Sequence, residues 1–308
     1  MTLLVTGASG LLGANLVVTA LDAGLPVAAV SQVHRLRASI VPNDQADLSE
    51  PGVAAALFRR IGPSAVVHTA AATNIDACEA DPAHAFRMNQ SMAREVAAAS
   101  ASVGARLIHI STDAVFAGDL AGGYAEDDPT EPRNVYGRAK LGGEQAVLAV
   151  HPGALVVRTT IFGWNALPKT SLAEWFLDRF RRGARAPGFS DAEMTPILVN
   201  DLADRILRLV DMASVGVLHV TGRECIAKAD FGRRLARAYG YAPDLVDPVG
   251  LDEASLAAPR ARRPCLRVER AEALLGRMPT VEDGIARFRR LDEAGFPARL
   301  RGLLEEVS

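Results

Sequence analysis

The sequence predicts an α/β protein, a doubly wound and mostly parallel sheet followed by a smaller, mostly helical C-terminal lobe. Three observations predict it. Short apolar runs alternate with helical patterns through the first half, which implies right-handed βαβ crossovers. A glycine-rich turn, GASGLLG, joins the first apolar run directly to the first helical pattern. After about Trp164 the rhythm changes to amphipathic helices with few strands. The expected division is a sheet domain over residues 1–165, to which 196–223 return, and a lobe made of 166–195 and 224–308.

In order, TLLVTG reads as a buried strand, a short apolar run ended by glycine. Residues 11–23 read as a helix stopped by Gly24 and Pro26. PVAAVS is the next strand, the stretch near 51–61 a helix, and AVVHTAA a strand. Residues 82–103 read as one long helix ended by Gly104, RLIHIST as a strand, 135–150 as a helix and ALVVRTTIFG as a strand. Beyond these come the amphipathic helix SLAEWFLDRFRRG, a strand into a helix in TPILVNDLADRILRLV, and the strand GVLHVTG. Helical patterns near 228–239, 268–275 and 281–291 complete the lobe.

Bulk properties narrow the function. The 308 residues are 49% hydrophobic and 23% charged, with a net charge of −2, so no basic footprint for nucleic acid exists. Cys78, Cys225 and Cys265 are scattered without a Cys-x-x-Cys pair, which argues against a disulfide framework or a zinc site and for a reducing compartment. No bound metal is expected. The opening MTLLVTGASGLLG lacks a signal-peptide pattern, and no apolar run is long enough to span a bilayer. A cytoplasmic protein without a membrane partner is the expectation.

The motifs carry the chemistry. Gly7, Gly10 and Gly13, with Ser9, Leu11 and Leu12, stand where a dinucleotide-binding Rossmann turn lets phosphates meet a helix N-terminus. An NAD site places an acid after the second strand. Here Ser31, Gln32, His34, Arg35 and Arg37 stand there, with no acid between Ala23 and Pro42. That favours NADP(H) over NAD(H), since Arg binds a 2′-phosphate bidentately. Asp47 and Leu48 are placed to flank the adenine. Ser111, Thr112 and Asp113 close a parallel strand at its carboxyl end, where ligands sit in open sheets. Tyr136 and Lys140, one turn apart on one helix face, suit proton transfer. Gly142 and Gly143 follow them, each costing roughly 1 kcal/mol relative to Ala, so a close-packing reason is expected.

TGASGLLG, HTAAATNIDACEADPAHAFRMN, STDAVFAGD, EDDPTEPRNVYGRAKLGGE and VVRTTIFGWN occur in the order and spacing of the extended short-chain dehydrogenase/reductases. Within them the chain most resembles the dTDP-4-dehydrorhamnose reductase group. The resemblance implies that Tyr136 protonates a sugar keto oxygen and Thr112 hydrogen-bonds it. Lys140 would hold the nicotinamide ribose and lower the tyrosine pKa. It further implies that Ala70, Ala71 and Ala72 line the cofactor, with Asn89 on a supporting helix. Substrate-facing candidates are Ala114, Val115, Phe116, Trp164 and Arg263. The group usually has tyrosine at Ala114 and often an aromatic at Ala72, so the identity of the sugar stays open. The implied partner is a nucleotide sugar, and the implied assembly a homodimer through the helices at 82–103 and 135–150. Two alternatives stay open: an epimerase or dehydratase on the same scaffold, and a regulatory subunit like that of methionine adenosyltransferase.

Overall fold

The computed structural model describes residues 2–305; residue 1 and residues 306–308, the outer ends of the two expected domains, lie outside the described residues. The first half runs β1 (Leu3–Thr6), α1 (Leu11–Asp22), β2 (Val27–Ser31), β3 (Asn43–Gln45), α2 (Val53–Ile61), β4 (Ala65–His68), α3 (Ile75–Ala80), α4 (Pro82–Phe86), α5 (Met92–Ser102), β5 (Arg106–Thr112), α6 (Val135–Val150) and β6 (Leu155–Thr159). Next come β7 (Ile161–Phe162), α7 (Leu172–Arg181), β8 (Ala186–Phe189), β9 (Glu193–Met194), β10 (Ile197–Leu198), α8 (Val199–Val210) and β11 (Gly216–His219). The chain ends with β12 (Ile226–Ala227), α9 (Lys228–Ala238), β13 (Val246–Val249), α10 (Glu269–Leu275), α11 (Val281–Glu293) and α12 (Phe296–Arg301).

Seven parallel strands form the central sheet in the order β11-β6-β5-β4-β1-β2-β3. β1, β2, β4 and β6 are buried along their whole lengths, because helices cover both faces. That burial is why they read as continuous apolar runs rather than alternating ones. The chain leaves β1 on one side for β2 and β3, then returns on the other side as β4. The crevice at this reversal is where open α/β sheets bind ligands. Late segments complete the domain: β11 is its edge strand, and Ile206 and Leu209 of α8 share a core with Leu16 and Val17 of α1. A second core lies in the lobe, around Phe162, Trp164, Phe176, Phe231 and Phe288.

The single helix expected over 82–103 is present without a break from Pro82 to Ser102, with one π-helical turn, Arg87–Ser91, between α4 and α5. Asn89 sits in that turn and pins the loop after β4. Its Oδ1 accepts from the Ala72 N–H at 2.9 Å and its Nδ2 donates to the Ala72 carbonyl at 3.0 Å. Such turns recur at functional sites.

The turn also explains the second of the paired glycines, Gly143. A Cβ on Gly143 would lie 2.2 Å from the Asn89 carbonyl oxygen, whereas one on Gly142 would meet only the end of the Gln90 side chain, at 2.9 Å. Gly143→Ala is therefore expected to lower the thermal midpoint, by a cost of roughly 1–3 kcal/mol of overpacking that outweighs its helix-propensity gain. Gly142→Ala should change it little. Thermal unfolding of the two variants checks this.

The expectation against a disulfide is corrected. Cys225 and Cys265 are disulfide-bonded, with their Cα atoms 5.7 Å apart. They are 40 residues apart in sequence; β12 pairs with β9, and Thr195 just after β9 accepts from the Leu266 N–H at 3.1 Å, so both cysteine segments meet beside β9. The buried Cys78 is free. Among the described residues, no helix is long and apolar enough to cross a membrane.

Candidate active site

A cavity of about 770 Å3 opens at the carboxyl ends of β1, β2, β4 and β5. Its first wall is the turn after β1: Gly7, Ser9, Gly10, Leu11 and Leu12. Gly7 has φ +69°, and a Cβ there would lie 2.5 Å from the Ala70 nitrogen. Only glycine lets the β1 turn lie this close to the β4 loop. Gly10 caps α1 without a side-chain hydrogen bond, so the first N–H groups of α1 face the cavity unclaimed. This cradle fits a dinucleotide pyrophosphate, which helix N-termini favour by free donors and dipole. Gly13 is buried within α1 and does not line the cavity.

The second wall is Ser31, Gln32, Val33 and His34 after β2, opposite Asp47 and Leu48. Asp47 accepts from Gln32 Nε2 at 2.8 Å and from the Ser49 hydroxyl at 2.7 Å, and the Ser49 contact chiefly holds its pKa low. Arg35 is exposed and lies outside the lining; its carbonyl accepts from the Glu305 N–H at 3.0 Å. Ala70 and Ala71 line the cavity, while Ala72 is held behind them by Asn89.

The chemical end is built by β5 and α6. Asn134 fixes the start of α6: its Oδ1 accepts from the Gly137 N–H at 2.8 Å and its Nδ2 donates to the Pro259 carbonyl at 2.9 Å. Tyr136, Lys140 and Glu144 then fall on one face, toward β5. Lys140 Nζ donates to the Ile110 carbonyl at 2.7 Å. Glu144 accepts from Ser111 Oγ and is gripped by Arg158, with Nε at 3.0 Å and a terminal nitrogen at 2.7 Å. Thr112, Asp113, Ala114, Tyr136 and Lys140 all line the cavity. Thr112 Oγ1 donates to Asp113 Oδ1 at 3.0 Å, and Thr160 Oγ1 donates to Asp113 Oδ2 at 2.6 Å.

Burial dominates the electrostatics. It pushes the Tyr136 phenol up to about 12; the Thr112 hydroxyl opposes the rise and the Asp113 carboxylate adds to it. Burial lowers Lys140 to about 8, against the pull of Glu144. Burial also raises the Asp113 pKa, against its two threonine hydrogen bonds. The resemblance implied that Lys140 lowers the tyrosine pKa. Here burial is the largest influence on the phenol and holds its pKa up, while the Lys140 ammonium faces the Ile110 carbonyl. Since the folded pKa of Lys140 lies near 8, its ammonium is present at pH 7 and lost as pH rises through that value. Catalytic efficiency is expected to fall across the same window, and a pH profile of kcat/KM reads it.

Several substrate-facing candidates lie elsewhere. Val115 and Phe116 are fully buried, and Phe116 stacks on Tyr124 at 4.2 Å beneath Arg158. Trp164 stacks on Phe288 at 4.1 Å and donates its Nε1 proton to the Phe288 carbonyl, so it belongs to the lobe's core. Arg263 pairs with Glu193 at 2.7 Å, outside the cavity. In their place stand Asn165 and, from the lobe, Lys169 and Leu172, and Lys169 Nζ donates to Thr73 Oγ1 at 3.3 Å across the mouth. Sequence reasoning weighed Asp113 only as part of its motif; its place after Thr112 at a strand end was the available signal. Among the described residues one trio of metal-capable groups lies together, Glu193 with Cys225 and Cys265, and both sulfurs are in the disulfide.

The seven-stranded parallel sheet, its glycine cradle and the Thr–Tyr–Lys group define the extended short-chain dehydrogenase/reductase class. Comparison with known proteins narrows this. The model of the RmlD substrate binding domain matches residues 1–291, and the chain belongs to that family. A dTDP-4-dehydrorhamnose reductase of Mycobacterium tuberculosis is 35% identical over 283 residues, covering 90% of this chain and 88% of that one. A probable low-salt glycan biosynthesis reductase, Agl14, of Haloferax volcanii is 33% identical over 288 residues, covering 92% and 95%. The crystal structure of dTDP-4-dehydrorhamnose reductase from Bacillus anthracis in complex with NADP superposes with a TM-score of 0.80 at 27% identity, over 94% of this chain and 98% of that one.

Proposed function

We propose that the chain is an NADPH-dependent reductase of a nucleotide-linked 4-keto-6-deoxy sugar. The observation that carries this is the convergence of Thr112, Tyr136 and Lys140 on one end of a cavity whose other end is the Gly7 cradle. The reductase names and the NADP complex among the relatives support it. When bound, NADPH supplies the hydride to the keto carbon. Tyr136, kept protonated by burial, holds the proton to be delivered to the keto oxygen. Thr112 aligns that oxygen by turning its hydroxyl proton to it from Asp113. Lys140 holds the cofactor ribose while anchored to Ile110. Asp113 offers an acceptor for a sugar hydroxyl. The lack of an acid directly after β2 supports NADPH over NADH, with Gln32 and His34 on the wall in that place. The intact triad weighs against a purely regulatory role. A homodimer through α4–α5 and α6 remains part of the proposal, and sedimentation at micromolar concentration reads it.

The test is a screen of nucleotide-linked keto sugars by cofactor oxidation, with both cofactors. Turnover with a 4-keto-6-deoxy sugar, faster with NADPH than NADH at limiting cofactor, is the expected result. Tight NADPH binding without turnover of any keto sugar would remove the reductase reading.

A further inference from the structure

We propose that the chain carries a second small-molecule site, a pocket for a phosphate group, apart from the active cavity and independent of the reductase reading. A cavity of about 320 Å3 lies between the first turns of α8, the turn joining α10 to α11, and one face of α11. It shares no lining residue with the active cavity. Four guanidinium groups line it, from Arg205, Arg277, Arg287 and Arg290, against the two carboxylates of Asp201 and Asp283.

Those carboxylates are already committed. Asp201 pairs with Arg287, which also reaches Asp204 at 2.7 Å. Asp283 caps α11, its Oδ2 accepting from the Thr280 N–H at 3.0 Å. Arg205 has no carboxylate bonded to it: its donors go to the carbonyls of Asp201 and Arg277 and to the Met278 sulfur. Among the described residues the side chains of Arg277 and Arg290 make no hydrogen bond and no ion pair within 4 Å. Both are exposed, while Arg205 is partly buried.

Like charges gathered around a hollow repel one another; Asp283 offsets Arg277 only at a distance, its carboxylate being held low in part by that guanidinium, and no carboxylate pairs with Arg290 among the described residues. A phosphate dianion would relieve both. Its oxygens match the guanidinium fork, which binds phosphate bidentately and without loss of charge at any working pH. The volume is at the small end of ligand sites. It admits inorganic phosphate or the phosphate of a small ester, and is smaller than a nucleotide sugar requires. The pocket is linked to the active cavity through two short strands. α8 begins directly after β10, β10 pairs with β7, and Ile161 of β7 lines the active cavity.

The test uses the full chain saturated with NADP, so that the cofactor's own phosphate cradle is filled. Calorimetric titration with inorganic phosphate and, separately, glycerol 3-phosphate is compared between wild type, Arg277→Ala/Arg290→Ala, and the charge-conserving Arg277→Lys/Arg290→Lys. Saturable binding by wild type, weakened at least tenfold in the alanine pair and by less in the lysine pair, which keeps the charge but loses the fork, is expected, with NADP affinity unchanged in all three. Tighter binding of glycerol 3-phosphate assigns the pocket to an ester, and tighter binding of phosphate to the free ion. Isotherms that are the same in wild type and the alanine pair, or no saturable binding by wild type, would overturn the proposal.

Discussion

Tyr136→Phe is expected to lower turnover on order of 10²–10⁴-fold, the usual worth of a positioned general acid, while NADPH affinity stays near that of wild type. The ring stays in its place against Cys78, Ala85 and Ala139, so the loss falls on the proton alone. No neighbour replaces it. Thr112 is already donating to Asp113, and Lys140 faces the Ile110 carbonyl. Burial of Tyr136 carries a cost of its own. A phenol near 12 is a weaker acid than one tuned to neutral pH, so the site relies on its position and on the negative charge that develops on the substrate oxygen. Single-turnover kinetics separate this loss from any change in binding. Full activity in the variant would remove Tyr136 from the mechanism.

The second large effect is on stability. Arg158→Met is expected to destabilise the protein by about 3–5 kcal/mol, because it leaves a buried carboxylate without its partner. The side chains of Arg158 and Glu144 are only 5% and 3% exposed, so water cannot replace the lost contact. Arg158 also donates to the Glu126 carbonyl and lies over the Phe116 ring, 5.0 Å from its centroid, which the linear methionine retains only in part. Replacing both partners, Arg158→Met with Glu144→Leu, is expected to recover much of the loss, since no buried charge is then stranded. The double variant carries a functional mark. Glu144 is the group that holds the Lys140 pKa up, so its removal should move the alkaline fall in activity to lower pH. Chemical denaturation of the single and double variants measures the first effect, and pH profiles the second.

What was legible in the sequence follows from the range of the interactions involved. A strand buried on both faces writes itself as an apolar run, so β1, β2, β4 and β6 were visible, and with them the parallel sheet. The glycine turn was visible because it lies between two such elements, and Tyr136 and Lys140 because a helix period joins them. The π-helical turn at Arg87–Ser91 was not, because its cause is the contact of Asn89 with a loop 17 residues earlier. The place of Trp164 was hidden for the same reason: the ring it stacks on and the carbonyl it bonds both belong to Phe288, 124 residues away. The Cys225–Cys265 bond escaped spacing rules that describe frameworks of many cysteines rather than one pair whose two segments each meet the chain at β9. Arg35 was expected as a phosphate ligand from its place after the second strand, and it lies exposed outside the cavity lining. What the sequence hid is that its segment pairs with a late part of the chain, where Leu36 bridges Leu304.

The central claim is that Thr112, Tyr136 and Lys140 serve hydride transfer to the keto carbon of a nucleotide-linked sugar. The most direct measurement uses NADPH carrying deuterium at nicotinamide C4, incubated with the wild-type chain and a nucleotide-linked 4-keto-6-deoxy sugar. The account predicts a reduced sugar with deuterium at C4, formed in step with oxidised cofactor. A product without that label, or NADPH that binds and is never consumed, would contradict it.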